Sequence, residues 1–251
     1  MPHPLVTDLR QALAEHADPA KAEGMKRYMK SEMPYRGVQT PLLRRLCRGL
    51  FRRHPIQDKV EWQAAVLDLW RNAQYREERY AAQELAGAKR YDAFRTLDTL
   101  TLFEELVVTG AWWDYVDGIA SHRLCELLQK HPVEISREMR AWSRSSDRWK
   151  RRSAIICQLN RKEETDLSLL FDCIDPNLPD PDFFIRKGIG WALRSLAWTD
   201  LDTVEAYIAR NEDRISPLTR REALKNAAKI RQTSHLPTPS RHPRAGWGRS
   251  S

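Results

Sequence analysis

The chain lacks several kinds of sequence feature, and each absence removes a class of function. No run of about 18 apolar residues occurs, and no basic, apolar and small-residue series opens the chain. A soluble, cytoplasmic protein with no membrane partner is therefore the expectation. Cysteine is scarce: Cys47, Cys125, Cys157 and Cys173 stand far apart, without a C-x-x-C pair. That spacing argues against a zinc site and a disulfide framework and favours buried, reduced thiols. The 7 histidines are scattered without ligand spacing, so no metal is expected. No glycine-rich phosphate loop, H-E-x-x-H pair or nucleophile elbow is found, and no cofactor is expected. Alternating β-branched runs joined by hairpin turns are also missing, which excludes an extensive sheet.

What the chain does have is basic charge and helical periodicity. Lys and Arg number 42 against 34 Asp and Glu, a formal charge of +8 over 251 residues. Such an excess aids solubility, and it also suits a polyanion whose counterions are released on binding. Leu42, Leu43, Leu46 and Leu50 recur at steps of three and four after Thr40-Pro41, read as an N-cap followed by proline. Similar stripes run through Leu100–Val107, Ile119–Leu128, Ile155–Leu159 and Ile185–Leu193. Asp18-Pro19, His131-Pro132 and Ser216-Pro217 mark further helix starts, and Gly110 a stop. About a dozen helices with short connections predict a helical array, and self-similarity at a fixed period is absent, so any repeat is degenerate. One domain is expected over residues 1–231. Residues 232–251, rich in Ser, Pro, Gly and Arg, are expected to form a disordered basic tail.

Three clusters could carry chemistry. In Gly110-Ala111-Trp112-Trp113-Asp114-Tyr115-Val116-Asp117, helical spacing places Trp113 and Asp117 on one face. Asp114 and Asp117 read equally well as an N-cap and a first-turn carboxylate stabilised by the helix dipole. Arg148-Trp149-Lys150-Arg151-Arg152 puts four cations at a helix start, against the macrodipole, which is easier with an anion nearby. Gly188 and Gly190 interrupt the helix around Trp191 and Arg194 and suggest close approach of a helix or ligand. Ordinary packing and a solvated basic face account for the last two clusters equally well.

Taken in order, these clusters identify the sequence as resembling the AlkD family of DNA alkylation repair glycosylases. The resemblance extends from the N-terminus to about residue 230. It includes Arg27-Tyr28-Met29-Lys30, Gly37-Val38-Gln39-Thr40-Pro41 with Arg44-Arg45, and Trp112-Trp113-Asp114 with Val116-Asp117. It continues with Arg152 before Ala154-Ile155, then Phe183-Phe184-Ile185, Ile189-Gly190-Trp191 and Leu193-Arg194. The resemblance implies an all-α fold: a curved α-solenoid of degenerate HEAT-like repeats with a concave DNA-binding cleft. It implies that Asp117 is the catalytic carboxylate, with Trp113, Trp191 and Arg152 lining the cleft, Arg152 at a neighbouring phosphate. Tyr28, Thr40, Arg44, Arg151 and Arg194 are the implied DNA-contacting positions. Asn160 departs from the pattern, where a lysine is expected.

The implied activity is excision of cationic N3- and N7-alkylated purines from double-stranded DNA by a monomer. A deep base pocket is not required. Two alternatives remain at the level of sequence: a non-catalytic DNA-binding paralogue and a protein-interaction scaffold of the usual solenoid kind.

Overall fold

A computed structural model describes residues 3–234, and no strand occurs among them. Twelve helices alternate between two packed rows. One row holds α1 (Pro4–Glu15), α4 (Lys59–Arg71), α6 (Leu100–Gly110), α9 (Pro132–Trp142), α11 (Leu167–Ile174) and α13 (Leu201–Arg210). The other holds α3 (Thr40–Arg53), α5 (Arg76–Ala86), α7 (Trp113–Gly118), α10 (Arg148–Ile156), α12 (Phe183–Leu196) and α14 (Pro217–Ala223). With α2 (Pro19–Met29) and α8 (Cys125–Lys130) set aside, alternation along the chain makes the molecule an α-solenoid of helix pairs, as the resemblance implied. Within the second row α3 packs on α5, α7 on α10, α10 on α12 and α12 on α14. Gln83 of α5 closes the remaining step by donating to the Tyr115 carbonyl of α7 at 3.1 Å.

Helix α2 (Pro19–Met29) lies outside both rows and buries none of its residues fully. α8 (Cys125–Lys130) continues α7 through a π-helical segment, Ile119–Leu124. α15 (Ala227–Ser234) closes the described chain. The domain boundary expected at residue 231 thus falls inside a helix, and the anticipated tail beyond 234 lies outside the described residues.

Local sequence sets most helix starts. Aspartates 18, 58, 147, 166, 182 and 200 each cap a helix by accepting from backbone N–H groups of its first turn. Each such cap stabilises by about 1 kcal/mol. Ser216 does the same for α14. Thr40 departs from expectation by one position: it is the first helical residue, and Gln39 precedes it without a side-chain cap. Gly110 ends α6, followed by Ala111 in the left-handed region.

The core runs continuously between the rows and includes Trp62, Trp70, Phe103 and Tyr115. All four cysteines are buried and free. Burial raises the pKa of each thiol, which suppresses thiolate chemistry. Among the described residues, no helix is long and apolar enough to cross a membrane. No group of three or more His, Cys, Asp or Glu residues suited to a metal occurs there either.

Candidate active site

α7 starts where Trp112, in extended conformation (φ −151°, ψ 144°), turns the chain into Trp113. Trp112, rather than Asp114, occupies the cap position, so the reading of Asp114 as an N-cap is corrected. Asp114 sits in the first turn and points to α5. Both its oxygens accept from Arg76 Nη2 at 2.7 Å, and Tyr80 donates to it at 2.6 Å. The Arg76 guanidinium also lies 4.1 Å from the Tyr115 ring centroid. Burial and the Asp114 charge push the Tyr80 hydroxyl up, so it remains a donor. This buried network anchors the start of α7 to α5.

Three residues on, Asp117 faces α10. Arg152 grips it with two parallel hydrogen bonds, Nε to Oδ1 at 2.7 Å and Nη2 to Oδ2 at 2.8 Å. The Arg152 side chain is 5% exposed and that of Asp117 13%. Burial raises the Asp117 pKa above its ordinary value; the hydrogen bonds and charge of Arg152 oppose that rise, and Asp114 adds to it. Such a fork–fork pair is geometrically specific and keeps a carboxylate oriented in a poorly solvated place.

The resemblance implies Arg152 at a DNA phosphate; in the structure all three of its guanidinium nitrogens have protein partners. Its remaining Nη1 donates to the Phe184 carbonyl in the first turn of α12. A Cβ at Gly188 would lie 3.1 Å from that same Nη1. The first interrupting glycine therefore admits a guanidinium. Gly190 does something different: a Cβ there would meet Glu222 Cβ at 2.5 Å and the Thr219 carbonyl at 3.1 Å. It lets α14 approach α12.

The other cations of the Arg148–Arg152 run also meet carboxylates. Arg148 pairs with Asp182 at 3.1 Å, Lys150 with Glu104 at 2.5 Å and Arg151 with Asp180 at 2.9 Å. The anions anticipated at this helix start are therefore protein side chains, together with the Asp147 cap. Arg151 also donates to the Ser145 and Ser146 carbonyls, away from Asp117. Arg194 pairs with Glu222 at 3.0 Å, and Arg44 with Glu84 at 2.8 Å.

Tyr28 and Trp113, 85 positions apart, meet edge to face with ring centroids 6.5 Å apart. Tyr28 remains 75% exposed on α2. Tyr28, Thr40 and Arg44 line one cavity of about 880 Å3, whose lining does not include Asp117. Trp191 is half-buried against the core, one helical turn beyond Gly188 on α12. The indole nitrogen of Trp112 is buried without a partner, its ring packed on Trp149 and Phe184.

Some participants escaped the sequence reading altogether. Arg76 and Tyr80 position α7, and the Phe184 carbonyl positions Arg152. The π-helical segment begins two residues after Asp117; such widened turns are frequent at functional sites. Asn160, where a lysine was expected, donates to the Ser121 carbonyl of that segment at 2.8 Å. Ser121 in turn donates to the Asp117 carbonyl at 2.6 Å. Residue-type spacing cannot reveal the contacts of Arg76, Tyr80, Phe184 and Asn160, because each joins elements more than 30 residues apart.

Fold and site together define an α-solenoid holding a forked carboxylate–guanidinium pair on one row of helices, with Trp113 one turn before Asp117 on α7. The chain belongs to the DNA alkylation repair enzyme family, whose family model matches residues 9–227. Among solved structures it is similar to a predicted DNA alkylation repair enzyme from Enterococcus faecalis. That match has 29% sequence identity and a TM-score of 0.77, covering 85% of this chain and 97% of the other. No curated protein matches the chain.

Proposed function

We propose that the protein is a DNA glycosylase that removes positively charged N3- and N7-alkylated purines, such as 3-methyladenine and 7-methylguanine, from duplex DNA during base excision repair. The observation that carries this reading is the forked pair of Asp117 with Arg152. It presents an oriented carboxylate in a poorly solvated place, one helical turn from Trp113. Membership of the DNA alkylation repair family supplies the substrate class.

The lesion itself explains why so little apparatus is needed. Alkylation at N3 or N7 leaves the purine cationic, which weakens its bond to the sugar. When that bond breaks, its electron pair returns to the ring nitrogen and the base leaves neutral, without a strong general acid. Positive charge then develops on the deoxyribose. An ionised Asp117 stabilises that charge and orients the water whose oxygen bonds to the anomeric carbon. The proton released from the water passes to the carboxylate or to solvent. The indole faces of Trp113 and Trp191 favour a cationic sugar electrostatically. Arg152, engaged by Asp117 and Phe184, acts in this scheme as a positioning residue.

Purified protein is expected to release 7-methylguanine from methylated duplex DNA and leave abasic sites. Asp117→Asn should slow single-turnover excision at least roughly tenfold, about 1.4 kcal/mol of transition-state stabilisation. DNA affinity should change little. Equal excision by wild type and Asp117→Asn would remove Asp117 from the mechanism.

A second reading draws on the same pair. Both oxygens of Asp117 already accept from Arg152, as in a purely structural tie between α7 and α10. On that reading the protein binds DNA without excising bases, and no abasic sites form in the same assay.

A further inference from the structure

The large cavity lies beside the candidate active site, and its lining has a character of its own. One wall is α3, which carries Arg44, Arg45, Arg48, Arg52 and Arg53 and no acidic residue. Positions 44, 48 and 52 recur every fourth residue, so their guanidinium groups share a face of the helix. All three line the cavity, and Lys89, Arg90 and Arg123 line it too. Two of these cations have carboxylate partners: Arg44 pairs with Glu84 and Arg123 with Glu126. Arg90 donates to the Phe51 carbonyl. Among the described residues, Arg48, Arg52 and Lys89 pair with no carboxylate. The two acids of the lining, Glu84 and Asp114, are both engaged by arginines. The cavity is thus left with uncompensated positive charge.

The rest of the lining is mostly apolar or aromatic, including Leu43, Phe51 and, from α2, Met25, Tyr28 and Met29. A solvated basic face requires no concavity and no apolar lining. About 880 Å3 is within the range of small-ligand sites, which run from about 300 to 1,000 Å3. The fitting ligand carries a flat apolar body and an anionic group at one end.

We propose that this cavity is a nucleotide-unit site, seating a base against Met25, Met29 and Tyr28 and a phosphate against Arg48, Arg52 and Lys89. Thioethers and aromatic rings suit the flat faces of bases irrespective of sequence. Guanidinium groups suit phosphate. Tyr28 joins the cavity to Trp113, and Gly118, which follows Asp117, is part of the lining. The nearest source of such a unit is therefore an unstacked nucleotide of a DNA strand close to the lesion, and a free mononucleotide shares the same chemistry. The DNA-linked source rests on the glycosylase reading; the site itself rests on its lining.

The test uses the full chain and an Arg48→Ala/Arg52→Ala variant, both positions being exposed. Equal melting temperatures check that the variant folds. Three probes are titrated: dAMP, inorganic pyrophosphate, and unmodified duplexes with or without a single-nucleotide bulge. Wild type is expected to bind dAMP more tightly than pyrophosphate, or to prefer the bulged duplex, and the variant to lose that binding about tenfold. Preference for the bulge assigns the DNA-linked source, and dAMP binding without it assigns the free nucleotide. Three results overturn the proposal: equal binding by wild type and variant, pyrophosphate binding as tightly as dAMP with no bulge preference, or no binding of dAMP and no bulge preference. Excision measured in parallel separates the two readings. Arg48- and Arg52-dependent binding without any excision overturns the glycosylase reading alone.

Discussion

At the scale of single residues, two opposing effects act on Asp117. Burial destabilises its charge, while Arg152 stabilises it, and burial prevails, so the carboxyl titrates above its ordinary range. A raised folded pKa has a definite sign in stability. The group contributes stability below its unfolded pKa, and that contribution is lost as pH rises through the folded value. Catalysis has the opposite requirement, because the ionised form does the work. Excision is therefore expected to fall as pH drops through the folded pKa of Asp117, with an acid limb above the ordinary aspartate value of about 3.9. Single-turnover rates across that range give the limb directly. A limb at or below the ordinary value would show that Arg152, not burial, dominates.

At the scale of elements, glycine has two meanings in this chain. Gly190 lies where α12 and α14 are in closest approach, and a methyl group there collides with backbone and with Glu222 Cβ. Gly190→Ala is expected to cost about 1–3 kcal/mol, the usual range for overpacking. Gly24 lies in exposed α2, and a methyl group added there would have nothing within 4 Å, so Gly24→Ala should stabilise by about 0.5–1 kcal/mol. Calorimetric melting of the two variants should move in opposite directions; a shift of the same sign in both would contradict the packing argument. Both glycines look alike in sequence, as interruptions of a helical stripe. The helix starts at Asp18 and Ser216, by contrast, were legible, because a capping aspartate or serine acts on N–H groups two or three residues away.

At the scale of the whole molecule, the basic excess is partly compensated from within. Much of the row from α7 to α14 pairs its cations with carboxylates, and Glu222 alone engages Lys187 at 2.9 Å and Arg194 at 3.0 Å. If this row faces duplex DNA, Glu222→Gln should free both cations. Affinity is then expected to rise about two- to tenfold, and the slope of log affinity against log salt to steepen by about 1–2. Fluorescence anisotropy at several salt concentrations measures both quantities. Unchanged affinity and slope would place the DNA on another surface. On α3, by contrast, Arg44 alone pairs with a carboxylate among the described residues, and Arg45, Arg48, Arg52 and Arg53 have none.

The sequence by itself determined the all-helical class, several helix starts, the burial of the four thiols and the residues around which a site could form. These depend on local periodicity and on side chains acting within a turn of their own backbone. Tertiary structure decided which groups are partners. It set Arg152 on Asp117, gave Asp114 to Arg76 and Tyr80, and brought Tyr28 against Trp113. It also decided which cavity-lining cations have carboxylate partners among the described residues, Arg44 and Arg123, and which have none, Arg48, Arg52 and Lys89. The physical reason is range: a cap is satisfied within three residues, whereas a forked ion pair needs two helices placed to within a fraction of an ångström. That placement is set by the packing of both rows together.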